Sequence, residues 1–160
     1  MRDACKMQLP FWERLSLADL NNAQWEALCD RCGRCCLEKL TDRRNGKVYY
    51  TSVVCPLLDT ASCQCRNYHH RCGIVPNCIG LTPRNLRSCR WLPRTCAYRL
   101  LLEGRTLPSW HPLVSGNPET VHEAGISIRG RHLHPLPTGG AKLEAFIVDW
   151  GIWSKKARVD

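Results

Sequence analysis

Four cysteines stand within eight residues, CDRCGRCC, from Cys29 to Cys36. Thiols this dense end as a disulfide staple, a zinc site, an iron–sulfur cluster or a redox dithiol, and each makes its own demand on the rest of the chain. A vicinal bridge between Cys35 and Cys36 is strained, because an ordinary disulfide needs about 4.4–6.8 Å between Cα atoms. A thioredoxin-like dithiol needs its C-x-x-C at a helix start in an alternating β/α chain. Here the motif ends a predicted helix and the alternation is missing. Cys29, Cys32 and Cys35 follow C-x2-C-x2-C, which lets one turn of backbone present three sulfurs to one site. That is the opening of a bacterial ferredoxin run, whose fourth cysteine precedes a proline, and Cys55-Pro56 has that local form. Zinc takes the same geometry from one C-x2-C pair and two distant ligands. Cys63, Cys65, Cys78 and Cys96 are the candidates for a second set.

The chain has 160 residues and twelve cysteines, so compartment decides how the thiols are read. The first twenty residues hold no apolar run followed by a small-residue cleavage site, and no segment reaches the roughly 18 apolar residues of a membrane span. These features predict a cytoplasmic chain with reduced thiols and no membrane partner. Net charge is +9, from 17 Arg and 6 Lys against 14 acids. The arginines are scattered and no nucleic-acid motif accompanies them, which argues against nucleic acid as the partner. Arg31, Arg34, Arg66 and Arg71 lie where they would offset thiolate charge.

Local signals predict an α+β fold: a small, cysteine-rich, metal-stapled single domain with short helices and a β-hairpin. Residues 1–21 read as an arm, with Ser16 and Asp19 spaced as a capping pair and Phe11, Trp12, Leu15 and Leu20 available to dock it. Asn21 or Asn22 caps a helix whose inner face carries Trp25, Leu28, Cys29 and Cys32, stopped at Gly33. Asn45-Gly46 marks a hairpin, Val48–Val54 is a strand, and the pair should carry Cys55 back toward Cys29–Cys36. Thr82 and Pro83 read as a helix start. CAYRLLLEG reads as a helix stopped by Gly104, HEAG as a brief helical turn and ISIRGR as a strand. Residues 22–131 form the expected metal-binding domain, and 132–160 a linker with an amphipathic C-terminal helix.

Cys5, Cys72 and Cys89 fall outside the tight pattern and read as buried apolar cysteines. His111 and His122 sit in loops, where a histidine is more often a hydrogen-bonding residue than a ligand. His69 and His70 read as a solvated loop. No catalytic motif is present.

Taken together, FWERLSLADLNNAQWEALCDRCGRCCLEKL, YYTSVVCPLLD, CQCRNY, VPNCIGLTP, WLPRTCAYRLLLEGRTLPSWHPLVSG and VHEAGISIRGR resemble the YcgN-type branch of the CxxCxxCC (YkgJ-like) cysteine-cluster family, over about residues 11–131. That family is described as zinc- or iron-chelating. The resemblance implies Cys29, Cys32, Cys35, Cys36, Cys55, Cys63, Cys65, Cys78 and Cys96 as the metal set. Nine thiols exceed one mononuclear site, so they imply either an iron–sulfur cluster with spare thiols or two centres. Between iron–sulfur and Zn2+, the three-cysteine presentation and the lack of a second C-x2-C unit favour the cluster. Three roles fit such a chain: a metal-binding protein in electron transfer, with an unknown redox partner, or in metal handling or sensing; a metal-dependent enzyme using the His111/His122 loop; and a zinc-dependent nucleic-acid module.

Overall fold

The computed structural model describes residues 9–149. They form short helices and a two-stranded antiparallel hairpin, an α+β arrangement, divided between two compact units that alternate along the chain. The first unit holds residues 9–30 and Leu81–Thr120; the second holds Arg31–Gly80 and residues 121–149. Among the described residues no helix is long and apolar enough to cross a membrane.

The first unit contains α1 (Phe11–Arg14), α2 (Asn22–Ala27), α4 (Ala97–Leu102) and α5 (Pro112–Ser115). Asn21 begins α2 with a full capping box. Its side chain accepts from the Gln24 N–H, and the Gln24 side chain accepts from the Asn21 N–H. The helix is shorter than predicted: it ends at Ala27, and Cys29 is exposed rather than inward-facing. The Leu28 and Cys29 N–H groups bond only two or three residues back, to Glu26 and Trp25, so the last turn tightens and the 3.6-residue period does not reach Cys32. Ser16 does bond Asp19, at 2.6 Å, but it closes a turn after α1 rather than capping a helix. Thr82 likewise opens a turn, through reciprocal side-chain bonds with Asn85, and a 3-10 turn (Leu86–Ser88) follows. The core gathers Leu28, Leu86, Leu92, Ala97 and Tyr98, with Phe11, Trp12 and Leu20 of the predicted arm packed against it. Tyr98 binds the chain together here: its ring lies 4.7 Å from that of Trp25 and its hydroxyl donates to the Trp25 carbonyl at 2.8 Å. α4 stops as predicted, with Gly104 at φ 70° just beyond it.

The second unit is built on the hairpin of β1 (Leu37–Thr41) and β2 (Val48–Val54). Asn45-Gly46 lies in the connecting loop, where Gly46 takes φ 71° and the Asp42 N–H donates to the Lys47 carbonyl. A second small hairpin pairs β3 (Leu58–Asp59) with β4 (Gln64–Cys65). α3 (Arg71–Ile74) follows, and α6 (Thr120–Glu123) marks the chain's re-entry. ISIRGR is not a strand. Ile126, Ser127 and Ile128 are all buried, so the segment lacks the two-faced alternation of a strand, and Gly130 at φ 74° turns it. The expected C-terminal helix is also not formed over 141–149. A single 3-10 turn (Leu143–Phe146) leads to Ile147, which bridges to Thr51, while His134 bridges to Val53. Residues 132–149 thus run alongside β2; the rest of the expected helix lies outside the described residues.

Candidate metal centre

The motif's second half is folded by one glycine. Gly33, at φ 76°, opens the 3-10 turn Arg34–Cys36, a left-handed position that other residues adopt only at a cost. The turn sets Cys35 and Cys36 at the start of β1, and the antiparallel return of β2 delivers Cys55 beside them. The Cys55 N–H donates to the Cys36 carbonyl at 2.8 Å, as the hairpin predicts. On the other side the Ile128 N–H donates to the Cys32 carbonyl at 2.9 Å. Cys63 closes the group: a Cβ added to Gly33 would lie 3.4 Å from its Cβ. Leu37, Leu58, Cys63 and Ile128 form the apolar base, against which Cys36 and Cys55 pack. Cys32 and Cys63 are buried, Cys36 and Cys55 half-buried, and Cys35 exposed.

The sulfurs of Cys35 and Cys36 are 3.9 Å apart. Two thiolates on one tetrahedral metal, each about 2.3 Å from it, are about 3.8 Å apart. The Cys35–Cys36 separation is close to that span. Among the described residues, no group of three or more His, Cys, Asp or Glu side chains converges on one point as the side chains stand. The soft, all-sulfur donor set fits zinc or iron by chemistry. The Cys36 thiol is pushed far up by its hydrogen bond to Cys35, by burial and by the nearby Cys35 and Cys55 sulfurs, and Lys39 pulls the other way. Lys39 was not anticipated. It stands on β1, directly opposite Tyr50, and its ammonium donates to the carbonyls of Cys35 at 2.8 Å and Leu37 at 2.6 Å. Burial lowers its pKa, and Cys35, Cys36, Glu38 and Cys32 hold it up. The one available signal was a cation three residues after the paired cysteines.

The remaining predicted ligands lie elsewhere. Cys65 is on β4 opposite Leu58. Cys29 and Cys96 belong to the first unit, Cys96 as the residue that starts α4. Cys78 has Cys72 as its thiol neighbour. Cys72 is exposed, which corrects the expectation of a buried apolar residue, since α3 is a single turn on the surface. Cys89 is buried as expected, its thiol donating to the Asn85 carbonyl. Cys5 lies outside the described residues. Arg66 faces Asp59 at 3.8 Å, while Arg71 stands beside Cys72 and Cys78.

His111 is buried with both ring nitrogens hydrogen-bonded. It is 0% exposed, its Nδ1 accepts from the Leu113 N–H, and its Nε2 bonds the Leu28 carbonyl at 3.1 Å, which makes Nε2 the protonated nitrogen. His122 bonds the buried Ser127 hydroxyl through Nδ1 at 2.7 Å.

The chain is 52% identical to a UPF0260 protein of Rhizobium leguminosarum bv. trifolii, over 89% of each chain. It is 57% identical to one of Mesorhizobium japonicum, over 78% of this chain and 84% of the relative, and 53% identical to one of Granulibacter bethesdensis, over 89% and 84%. The chain belongs to the UPF0260 family. Residues 28–97 of this UPF0260 chain match the CxxCxxCC family, described as a "Putative zinc- or iron-chelating domain", and that span covers the motif and both hairpins. No solved structure matches it.

Proposed function

We propose that the second unit holds a thiolate-ligated metal centre drawn from Cys32, Cys35, Cys36, Cys55 and Cys63, serving electron transfer, metal handling or sensing. The observation that carries this reading is the hydrogen bond from the Cys55 N–H to the Cys36 carbonyl, which joins the motif to a cysteine nineteen residues away. Lys39 supports it, because a cation seated on the Cys35 carbonyl offsets the charge that several thiolates accumulate. Cys65, on β4 of the same unit, is the next candidate. When bound, the metal would cross-link a loop-rich segment that buries little apolar surface of its own. Iron as a cluster is favoured over zinc, because C-x2-C-x2-C offers three sulfurs from one short segment and no second C-x2-C unit completes a zinc pair.

The test is anaerobic purification followed by metal and acid-labile sulfide analysis of the same sample, with Cys55→Ser alongside. Broad absorption near about 400 nm with iron matched by sulfide identifies a cluster; stoichiometric zinc in colourless protein identifies a zinc centre. Cys55→Ser is expected to lose most of either metal. Wild-type protein that binds neither in stoichiometric amount, or a serine variant that keeps full occupancy, would reject the site.

A further inference from the structure

Two cysteines pair away from the group around Cys36. Cys72 lies in α3 and Cys78 six residues later, and the chain doubles back between them. The Gly73 N–H donates to the His70 carbonyl, the Val75 N–H to the Arg71 carbonyl at 2.8 Å and the Cys78 N–H to the Val75 carbonyl at 2.9 Å. These turns bring the two thiols close enough to interact. Cys72 is exposed and Cys78 half-buried. The Arg71 guanidinium stands near the Cys78 sulfur and is fixed by the Tyr68 carbonyl at 2.6 Å and by the Tyr68 ring, 3.6 Å away. Three of the seven large hydrophobic side chains exposed among the described residues, Tyr68, Ile74 and Ile79, fall within this one short stretch. An exposed thiol, a partner sulfur close by, a fixed cation and an apolar surround make up the setting in which thiols exchange. The other close thiol pair, Cys35 and Cys36, is vicinal and cannot bridge without strain.

We propose that Cys72 and Cys78 form a reactive surface dithiol, closed to an intramolecular disulfide by low-molecular-weight disulfides and reopened by dithiol reductants. The Cys72 thiolate attacks one sulfur of the small disulfide, forming a mixed disulfide and releasing one thiolate. Cys78, its proton lost to solvent, then attacks the Cys72 sulfur and releases the second. Two protein thiols are oxidised by two electrons, one small disulfide is reduced to two thiols, and the two protons end on those products.

The sequence makes the test direct. Trypsin cuts after Arg71 and Arg84, leaving residues 72–84 as one peptide that carries these two cysteines and no others. The full-length protein, purified with its metal, is equilibrated in glutathione buffers of rising disulfide content, quenched by alkylation, digested and weighed. Peptide 72–84 is expected to become unalkylated and lighter by two hydrogens, about 2 Da, and to return to the doubly alkylated form after dithiothreitol. Cys78→Ser is expected to trap Cys72 as its glutathione adduct. The proposal is overturned if the peptide stays doubly alkylated throughout the series, or if Cys72 bridges to a cysteine of another peptide. It is also overturned if Cys78 becomes alkylatable only after a chelator removes metal, which would make it a ligand.

Discussion

Replacing Gly33 with alanine should be the most damaging single methyl group that can be added to the second unit. Two costs combine. At φ 76° an alanine carries the left-handed penalty of about 1–2 kcal/mol. Its Cβ would also stand 2.8 Å from Ile128 Cγ1 and 2.9 Å from Cδ1, with Cys63 Cβ at 3.4 Å on the other side. Ile128 is 0% exposed, β-branched and tied to Cys32 through its N–H, so it cannot swing aside freely. Overpacking of this kind costs about 1–3 kcal/mol, for a total of about 2–5 kcal/mol. Gly46→Ala is the matched control: its φ is 71°, but nothing lies within 4 Å of the added atom, so it carries the backbone penalty alone. Urea unfolding of both variants, in the same metal state as the wild type, should separate them by the packing part, about 1–3 kcal/mol. If the two midpoints coincide, Gly33 is not packed against Ile128 and Cys63 as described, and the geometry of the proposed centre falls with it.

Three other outcomes are expected. Lys39→Gln should weaken zinc or iron binding about 10- to 100-fold, as loss of a supporting hydrogen-bonded group near a metal does; competition titration against a chromogenic chelator measures it, and unchanged affinity would detach Lys39 from the site. Tyr98→Phe removes the hydroxyl that donates to the Trp25 carbonyl and should destabilise the first unit by about 1 kcal/mol in urea unfolding; no change would mean that this bond adds nothing to stability. Burial depresses the pKa of His111, so both states are neutral on the alkaline side. As pH falls through about 6.5 the unfolded chain takes up a proton that the folded chain refuses, and stability declines by at most about 1.4 kcal/mol per pH unit until the folded pKa is reached. His111→Gln should flatten the pH dependence of unfolding in that window, and an identical slope would place the titration elsewhere.

What could be read from the sequence was whatever is decided within a few residues. Asn21 with Gln24, Asn45-Gly46 before Val48–Val54, and Gly104 after α4 all bring their own hydrogen bonds or backbone freedom, and each appears where expected. The features that were misread depend on distant partners. The apolar spacing of Leu28, Cys29 and Cys32 imitates a helix face, but the helix ends at Ala27 and Cys29 is exposed; Cys32 is buried as expected, hydrogen-bonded to Ile128 ninety-six residues away. ISIRGR has the composition of a strand but docks through one backbone bond instead of a ladder. His111 is the hydrogen-bonding loop residue expected, although nothing nearby announces that its partner will be the distant Leu28 carbonyl. Of the candidate site, the Cys36–Cys55 approach followed from the hairpin, whereas Lys39 and the Cys72–Cys78 proximity required the fold.

The alternation of the two units has a consequence for synthesis. Every cysteine from Cys32 to Cys65 leaves the ribosome about 60 or more residues before Ile128, the residue that hydrogen-bonds to Cys32 and underlies Cys63. At bacterial elongation rates of about 5–20 residues per second, that interval lasts about 3–12 seconds. During it the hairpins can pair, but the base of the thiol group is incomplete and its sulfurs face the solvent. The nascent chain thus meets its surroundings with these thiols open, and arrival of the segment from Val121 onward is what shuts them in.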